Sequence, residues 1–235
     1  MNNHVFKRTS VSSSLLSDTL YNFIIGLTLC WGFLINWLLV TFIDTALIRD
    51  LDLVLFIASY LISVVIGTFL YELSKNPLIS FLGYNLVVVP IGVLFNLCLS
   101  GAEPNLVINA IRVTGIVTLA MMCLGILFPK FFISIERALA GVLCLVIVIE
   151  LMELILFGIH HEIIDWVVAI AFCGYIGIDW VRANQIPKTL DNAIDSAAAL
   201  YMDIINIFAR LLSILHDGKS DNDSIDSTDS GDFND

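Results

Sequence analysis

Charged residues are scarce in this chain, which limits the classes of protein to which it can belong. Asp, Glu, Lys and Arg make up only 14% of the 235 residues, whereas 58% are hydrophobic. A soluble globular domain has about 25% charged and about 45–50% apolar residues. With a mean hydropathy of +0.92, the composition excludes an ordinary soluble domain and indicates an integral membrane protein.

Basic residues are especially few, with 11 Lys and Arg against 22 Asp and Glu. The chain has no basic stripe, which argues against binding of nucleic acid. Seven of the acidic residues lie after His216 in a segment of Asp, Ser, Asn and Gly, so the net charge of −11 says little about partners. Such a segment cannot bury a core. We therefore predict a disordered acidic tail over residues 216–235.

Motifs for redox chemistry, catalysis and secretion are also missing. The five cysteines lie within apolar runs without a CxxC pair, so we interpret them as buried hydrophobic residues. No nucleophile–base array, phosphate loop or cofactor motif appears, and we expect neither an enzyme nor a cofactor. The first apolar run is too long for a signal peptide, whose apolar part has ~7–15 residues, so we expect it to be retained.

Seven apolar runs dominate the chain, and each is near the ~20 residues needed to cross a bilayer as a helix. They predict an all-α membrane protein, a seven-helix bundle between a flexible polar N-terminus (1–19) and the tail. The expected helices are Leu20–Ile43, Leu51–Tyr71, Pro77–Leu99, Val107–Phe128, Ala138–Phe157, Ile163–Val181 and Ser196–Leu215. The last is the least hydrophobic, so we expect it at the centre of the bundle, shielded by the other six.

The distribution of Lys and Arg predicts the orientation of this bundle. With a cytoplasmic N-terminus, seven basic residues fall on the inner side and three on the outer side or near an outer helix end. This excess favours a cytoplasmic N-terminus, and seven spans then place the acidic tail outside.

Each of the last two predicted helices carries one aspartate within apolar sequence. Asp179 lies near the end of the sixth helix. Asp203 lies about two turns into the seventh helix, which places it roughly 10 Å below the membrane surface at which the sixth helix ends. A lone carboxylate at membrane depth is costly and usually faces a partner or water. Because the two helices are antiparallel and joined by a short loop, we interpret this pair as the functional centre.

The residues around the two aspartates resemble those of the Bax inhibitor family, also called the transmembrane Bax inhibitor motif family, in a bacterial-type member. The sixth helix ends with Tyr-Ile-x-x-Asp, from Tyr175 to Asp179. The seventh contains Ala-x-x-Leu-Tyr-x-Asp-Ile-Ile-Asn-x-Phe, from Ala197 to Phe208. The resemblance implies a bundle around a central last helix. It also implies a pH-sensitive calcium leak in which Asp179 and Asp203 form a latch.

The resemblance also implies an arginine near the inner end of the second helix. In this sequence Lys75 is the residue that would stand in for that arginine. Asn206 and Tyr201 are further candidate latch partners, although packing is the commoner role for such a tyrosine. Two close carboxylates tend to share a proton and titrate as a unit. Losing that proton would make Asp179 and Asp203 repel each other. Their oxygens could also hold a calcium ion transiently.

Further polar residues lie in the predicted helices and one loop. Glu150 and Glu153 share one face of the fifth helix; with Arg112 they form either a buried ion pair or an outer vestibule that attracts cations. The asparagines of the apolar helices should hydrogen-bond between helices; they include Asn36, Asn85 and Asn96. A solvated outer loop is favoured over a zinc or proton site for His160, His161, Glu162 and Asp165.

The function predicted from these features is a passive, proton-regulated cation pathway, with calcium as the permeant ion, in a bacterial plasma membrane. Its partners would be the lipid bilayer, calcium and protons. The alternative is a membrane regulator without transport activity that binds a membrane protease or a stress-response partner. A proton-coupled transporter is a third hypothesis, but such proteins usually contain internal repeats, which this sequence lacks.

Overall fold

The computed structural model describes residues 15–50, 52–156 and 162–229, and the regular elements within these ranges are all helices. They are α1 (Asp18–Phe42), α2 (Thr45–Arg49), α3 (Leu53–Leu73), α4 (Pro77–Leu99), α5 (Pro104–Leu127), α6 (Pro129–Leu156), α7 (Glu162–Gln185) and α8 (Leu190–Asp229). Seven of these helices are long and apolar enough to cross a membrane. The predicted all-α class with seven spans is therefore confirmed.

A local capping interaction sets the start of α8, which hydropathy alone misplaced. Helix α8 begins at Leu190 rather than at Ser196, because Thr189 Oγ1 accepts a hydrogen bond from the backbone N–H of Asn192 at 3.2 Å. Satisfying such an otherwise unpaired N–H favours a helix start at that point. Asn76 caps α4 in the same way, because its Oδ1 atom accepts a hydrogen bond from the backbone N–H of Leu78 at 3.0 Å, and the predicted start of α4 at Pro77 is confirmed.

Two further bounds differ from the predicted ones by more than two helical turns, and one short helix was not predicted. Helix α6 begins at Pro129 rather than at Ala138, in keeping with the preference of proline for a first helical turn. The short α2, capped by the Asp44 side chain, was not predicted. Helix α8 runs on to Asp229, since extending an existing helix needs no new nucleus. The disorder of the tail stays a prediction, and residues 1–14 and 230–235 lie outside the described residues.

The chain divides into two compact units. Unit 1 consists of Met1–Gly101 and Asp179–Met202, and unit 2 consists of Ala102–Ile178 and Asp203–Asp235. Helices α7 and α8 therefore each contribute one part to unit 1 and the other part to unit 2. The central position of the last helix stays a prediction.

In unit 1, α4 packs against α1 and α3. Helices α3 and α4 approach each other closely at Gly67 and Gly83, where a Cβ atom on either residue would lie 2.6 Å from the backbone carbonyl oxygen of the other. Small residues of this kind let membrane helices approach each other closely. A larger side chain at either position would force the two helices apart.

Amide side chains tie the helices of unit 1 together. Asn36 Nδ2 donates to the Tyr201 hydroxyl at 2.7 Å, and Asn85 Oδ1 accepts from Trp31 Nε1 at 3.0 Å. Asn96 Nδ2 lies 2.9–3.2 Å from three carbonyl oxygens at the end of α1. The prediction that these asparagines hydrogen-bond between helices is confirmed.

In unit 2, α6 packs against α5 and α7. Val146 of α6 forms an apolar cluster with Ile164 and Val168 of α7. Further along α7, a Cβ atom at Gly177 would run directly into the ring of Phe132, which is 3% exposed. The absence of a side chain at Gly177 is therefore what lets α6 and α7 pack at this level.

Candidate functional site

Asp179 lies near the end of α7, within unit 1, and is held by a cation from its own helix. Its side chain is 12% exposed, and Arg182 Nη1 lies 3.2 Å from its Oδ1 atom. Residues three apart on a helix are neighbours on its surface, so the spacing could have indicated this pair. Lys75, the stand-in suggested by the resemblance, is exposed. Its part in the latch stays a prediction.

Asp203 lies in α8, within unit 2, and is 5% exposed. Asn206 follows at a spacing of three residues and is half-buried on the same face of the helix. Its low exposure shows that the Asp203 carboxylate faces the protein interior rather than lipid, as is usual for ionisable groups in membrane spans. Because Asp179 belongs to unit 1 and Asp203 to unit 2, the latch between them stays a prediction.

Tyr201, two residues before Asp203, is a packing residue of unit 1. It is fully buried, its hydroxyl accepts the hydrogen bond from Asn36, and its ring meets that of Tyr84 edge-on at a centroid distance of 5.5 Å. Edge-on aromatic pairs stabilise a fold beyond their buried area. Tyr201 therefore fixes this part of α8 against α1 and α4, and its role as a latch partner stays a prediction.

The first turns of α8 are anchored in unit 1 by hydrogen bonds that the sequence did not suggest. Ser80 Oγ donates to Asp191 Oδ1 at 2.8 Å, and both side chains are buried. The Tyr21 hydroxyl lies 3.1 Å from Ser196 Oγ. Buried polar groups of this kind rigidify a structure when they are satisfied. They hold the beginning of α8 against α4 and α1.

A second group of charges lies in unit 2, around Arg210 of α8. Its Nη1 atom is 2.5 Å from Asp165 Oδ1, and its Nη2 atom is 2.7 Å from Glu150 Oε1. Asp165 is 1% exposed, whereas the Glu150 side chain is 30% exposed. One guanidinium thus joins α6, α7 and α8, using the fork of donors that suits arginine to paired carboxylates.

This network corrects two predictions. The cation beside Glu150 is Arg210 rather than Arg112, which is exposed on α5; adjacency in sequence does not decide which face of a helix meets its neighbour. Asp165 is not part of a solvated loop, because α7 begins at Glu162 and turns Asp165 inwards. The Glu153 and Glu162 side chains and residues 157–161, including His160 and His161, lie outside the described residues. Among the residues that are described, no cluster of three or more His, Cys, Asp or Glu side chains could hold a metal ion.

Comparisons with known proteins place this arrangement in context. The model of a family described as "Inhibitor of apoptosis-promoting Bax1" matches residues 13–221. An "Uncharacterized membrane protein" of Vibrio cholerae is 32% identical over 113 residues, which are 48% of this chain and 50% of that protein. "Protein LIFEGUARD 1" of Arabidopsis thaliana is 28% identical over 155 residues, 60% of this chain and 62% of that protein. The matched regions therefore span less than two thirds of either relative.

Proposed function

Because the chain belongs to the Bax inhibitor family, whose model covers the seven candidate spans, we propose that it is a passive, proton-regulated pathway for cations, above all calcium. One observation carries the proposal. The two carboxyl groups of the proposed pair are both withdrawn from solvent within candidate spans, Asp179 of α7 at 12% and Asp203 of α8 at 5% exposure. Such residues in membrane spans typically mark ion or proton pathways.

In the proposed mechanism the two carboxyl groups share one proton. The hydrogen bond in this state ties α7 to α8 and closes the pathway. When the proton is lost, two negative charges face each other in a medium of low dielectric constant and repel strongly. The contact between the helices then loosens, and the carboxylate oxygens become available to a hard cation such as calcium.

Arg182 has a defined part in this proposal. Its guanidinium holds the Asp179 carboxylate by a charge-assisted hydrogen bond of 3.2 Å, and such bonds are stronger than those between neutral groups. It thereby orients one half of the latch and limits the repulsion when the shared proton leaves. Arg182 is thus a cation of the latch that lies on the same helix as Asp179, beside the predicted part of Lys75.

We further propose that the protein lies in a bacterial plasma membrane with its N-terminus in the cytoplasm. The excess of Lys and Arg on the side of residues 1–19 supports this orientation. Asp179, at the end of α7, and the beginning of α8 then lie near the cytoplasmic surface. Protons would reach the latch from the cytoplasm.

The proposal is tested by calcium entry into liposomes that contain only the purified protein. A leak needs no partner, so liposomes with protein should fill faster than protein-free ones. Asp203→Asn should change the rate, whereas Asp50→Asn, at an exposed aspartate after α2, is the matched control and should not. Entry no faster than in protein-free liposomes would overturn the proposal and favour a regulator that acts through a protein partner.

A further inference from the structure

A groove lies between α3 and α4 in unit 1, near the loop that joins these two helices. Its volume is about 390 Å³, and its lining is apolar apart from one serine. We call it the α3–α4 groove, and it is lined by Ile66, Phe69, Leu70, Leu73, Ser74 and Ile79. Phe69 and Leu73 are 57% and 65% exposed, so the groove opens on the outside of the protein. Because both helices are candidate spans, this opening faces the lipid bilayer.

The length of the α3–α4 groove matches one leaflet of a bilayer. Its lining residues on the α3 side run from Ile66 to Ser74, which corresponds to roughly 12 Å along the helix axis. The hydrocarbon core of a bilayer is about 30 Å thick, so the acyl chains of one leaflet fill about half of that depth. Ser74 directly follows the end of α3, where the polar loop begins. The groove therefore extends from one membrane surface through most of one leaflet, as a lipid acyl chain does.

A lysine lies at the polar end of the α3–α4 groove. Lys75 follows Ser74 in the loop and is exposed. Among the described residues it forms no ion pair, not even with Glu72 in the last turn of α3. The loop around it is fixed, because Ser74 Oγ accepts a hydrogen bond from the backbone N–H of Asn76 at 2.9 Å. The groove thus ends at an unpaired cation at the level where lipid headgroups lie.

We propose that the α3–α4 groove binds one anionic phospholipid, with an acyl chain along the groove and the phosphate group on Lys75. A lipid tail gains little hydrophobic free energy when it moves from bulk lipid into an apolar groove, since both surroundings are equally apolar. The groove therefore places the lipid, and the attraction between Lys75 and the phosphate selects an anionic headgroup. Binding is measured without ion flux, so the proposal does not rest on the proposed cation pathway or on the predicted part of Lys75 in the latch.

The site is tested by photolabelling of the full chain in liposomes. Phosphatidylglycerol and phosphatidylcholine analogues, each with a diazirine in the acyl chain, are added separately at a low mole fraction, so that labelling reports affinity. The labelled peptides are then identified by mass spectrometry. The anionic analogue should label residues 66–79 at least about fivefold more than the zwitterionic one, whereas both should label the exposed Leu119 region of α5 equally. Equal labelling of residues 66–79 by the two analogues would overturn the proposal, because ordinary boundary lipid behaves in that way.

Two sets of variants test the charge and the shape of the site separately. Lys75→Gln should lower labelling by the anionic analogue about fivefold, the equivalent of about 1 kcal/mol for one lysine near a membrane surface. Lys75→Arg should keep the labelling, and Lys130→Gln, at an exposed lysine of α6, is the matched control. Ile79→Trp should fill the groove and lower labelling by at least about fivefold. Leu78→Trp, at a 78% exposed position outside the lining, should not.

Each outcome supports or overturns the proposal. Unchanged labelling in Lys75→Gln would overturn the selection of the headgroup, and unchanged labelling in a folded Ile79→Trp would overturn the groove as the site. If Ile79→Trp does not fold, the Lys75 variants decide, because they change only an exposed side chain. Photocrosslinking of residues 66–79 to a second copy of the chain, in place of the lipid, would show that protein covers the groove and would also overturn the proposal.

Discussion

Replacing Arg210 with methionine should destabilise the protein by about 3 kcal/mol. Removing one member of a buried ion pair costs ~3–5 kcal/mol, whereas an exposed pair contributes ~0–1 kcal/mol. The Asp165 side chain, at 1% exposure, would keep its charge in the interior after losing its guanidinium, but Glu150, at 30%, can regain water. Because the arginine is itself 24% exposed, the expected loss lies at the lower end of the range for buried pairs.

The loss can be measured as a change in melting temperature in detergent. In a chain of this length 1 kcal/mol corresponds to about 2–4 °C, so Arg210→Met should lower the melting temperature by about 6–12 °C. Arg112→Met removes the same side chain at an exposed position of α5. It should change the free energy of unfolding by no more than about 0.5 kcal/mol.

A second substitution separates the loss of charge balance from the loss of packing. Adding Asp165→Asn to Arg210→Met removes the charge that the arginine had balanced, so it should restore most of the stability. The reasoning is refuted if Arg210→Met has the same melting temperature as Arg112→Met. It is also refuted if the double variant is no more stable than Arg210→Met alone.

Three further predictions concern packing, a buried hydrogen bond and the tail. Gly177→Ala should cost ~1–3 kcal/mol by overpacking against the ring beside it, whereas Gly141→Ala, with open space around it, should not lower the melting temperature. Tyr201→Phe should cost ~0.5–1.5 kcal/mol, because Asn36 loses its acceptor; an unchanged melting temperature would contradict that contact. Deleting residues 217–235 should leave insertion and melting unchanged, and extraction as aggregate would show that the segment is structural.

The seven spans were predictable because length and hydropathy suffice to identify membrane helices. The interhelical role of Asn36, Asn85 and Asn96 was also predictable, since an amide in an apolar helix must find a partner within the protein. Helix ends were less predictable than the spans. The start of α8 depends on one capping hydrogen bond to Thr189, which a hydropathy profile does not detect.

The partners of charged residues could not be predicted from order along the chain. Arg112 and Glu150 lie on consecutive helices, but the face that each residue occupies is set by packing. The cation that reaches Glu150 comes from Arg210, sixty residues later in the sequence. By contrast, the Asp179–Arg182 pair is local, and its spacing of three residues could have revealed it.

The central claim is that Asp179 and Asp203 act as one proton-sharing pair. Calcium flux into liposomes, followed from about pH 5 to pH 8, tests this most directly in the two single asparagine variants and the double variant. Each single variant should lose or shift the pH dependence of the wild type. The double variant should add little, because residues of one pair are not independent. Single variants that keep the wild-type pH profile would contradict the claim.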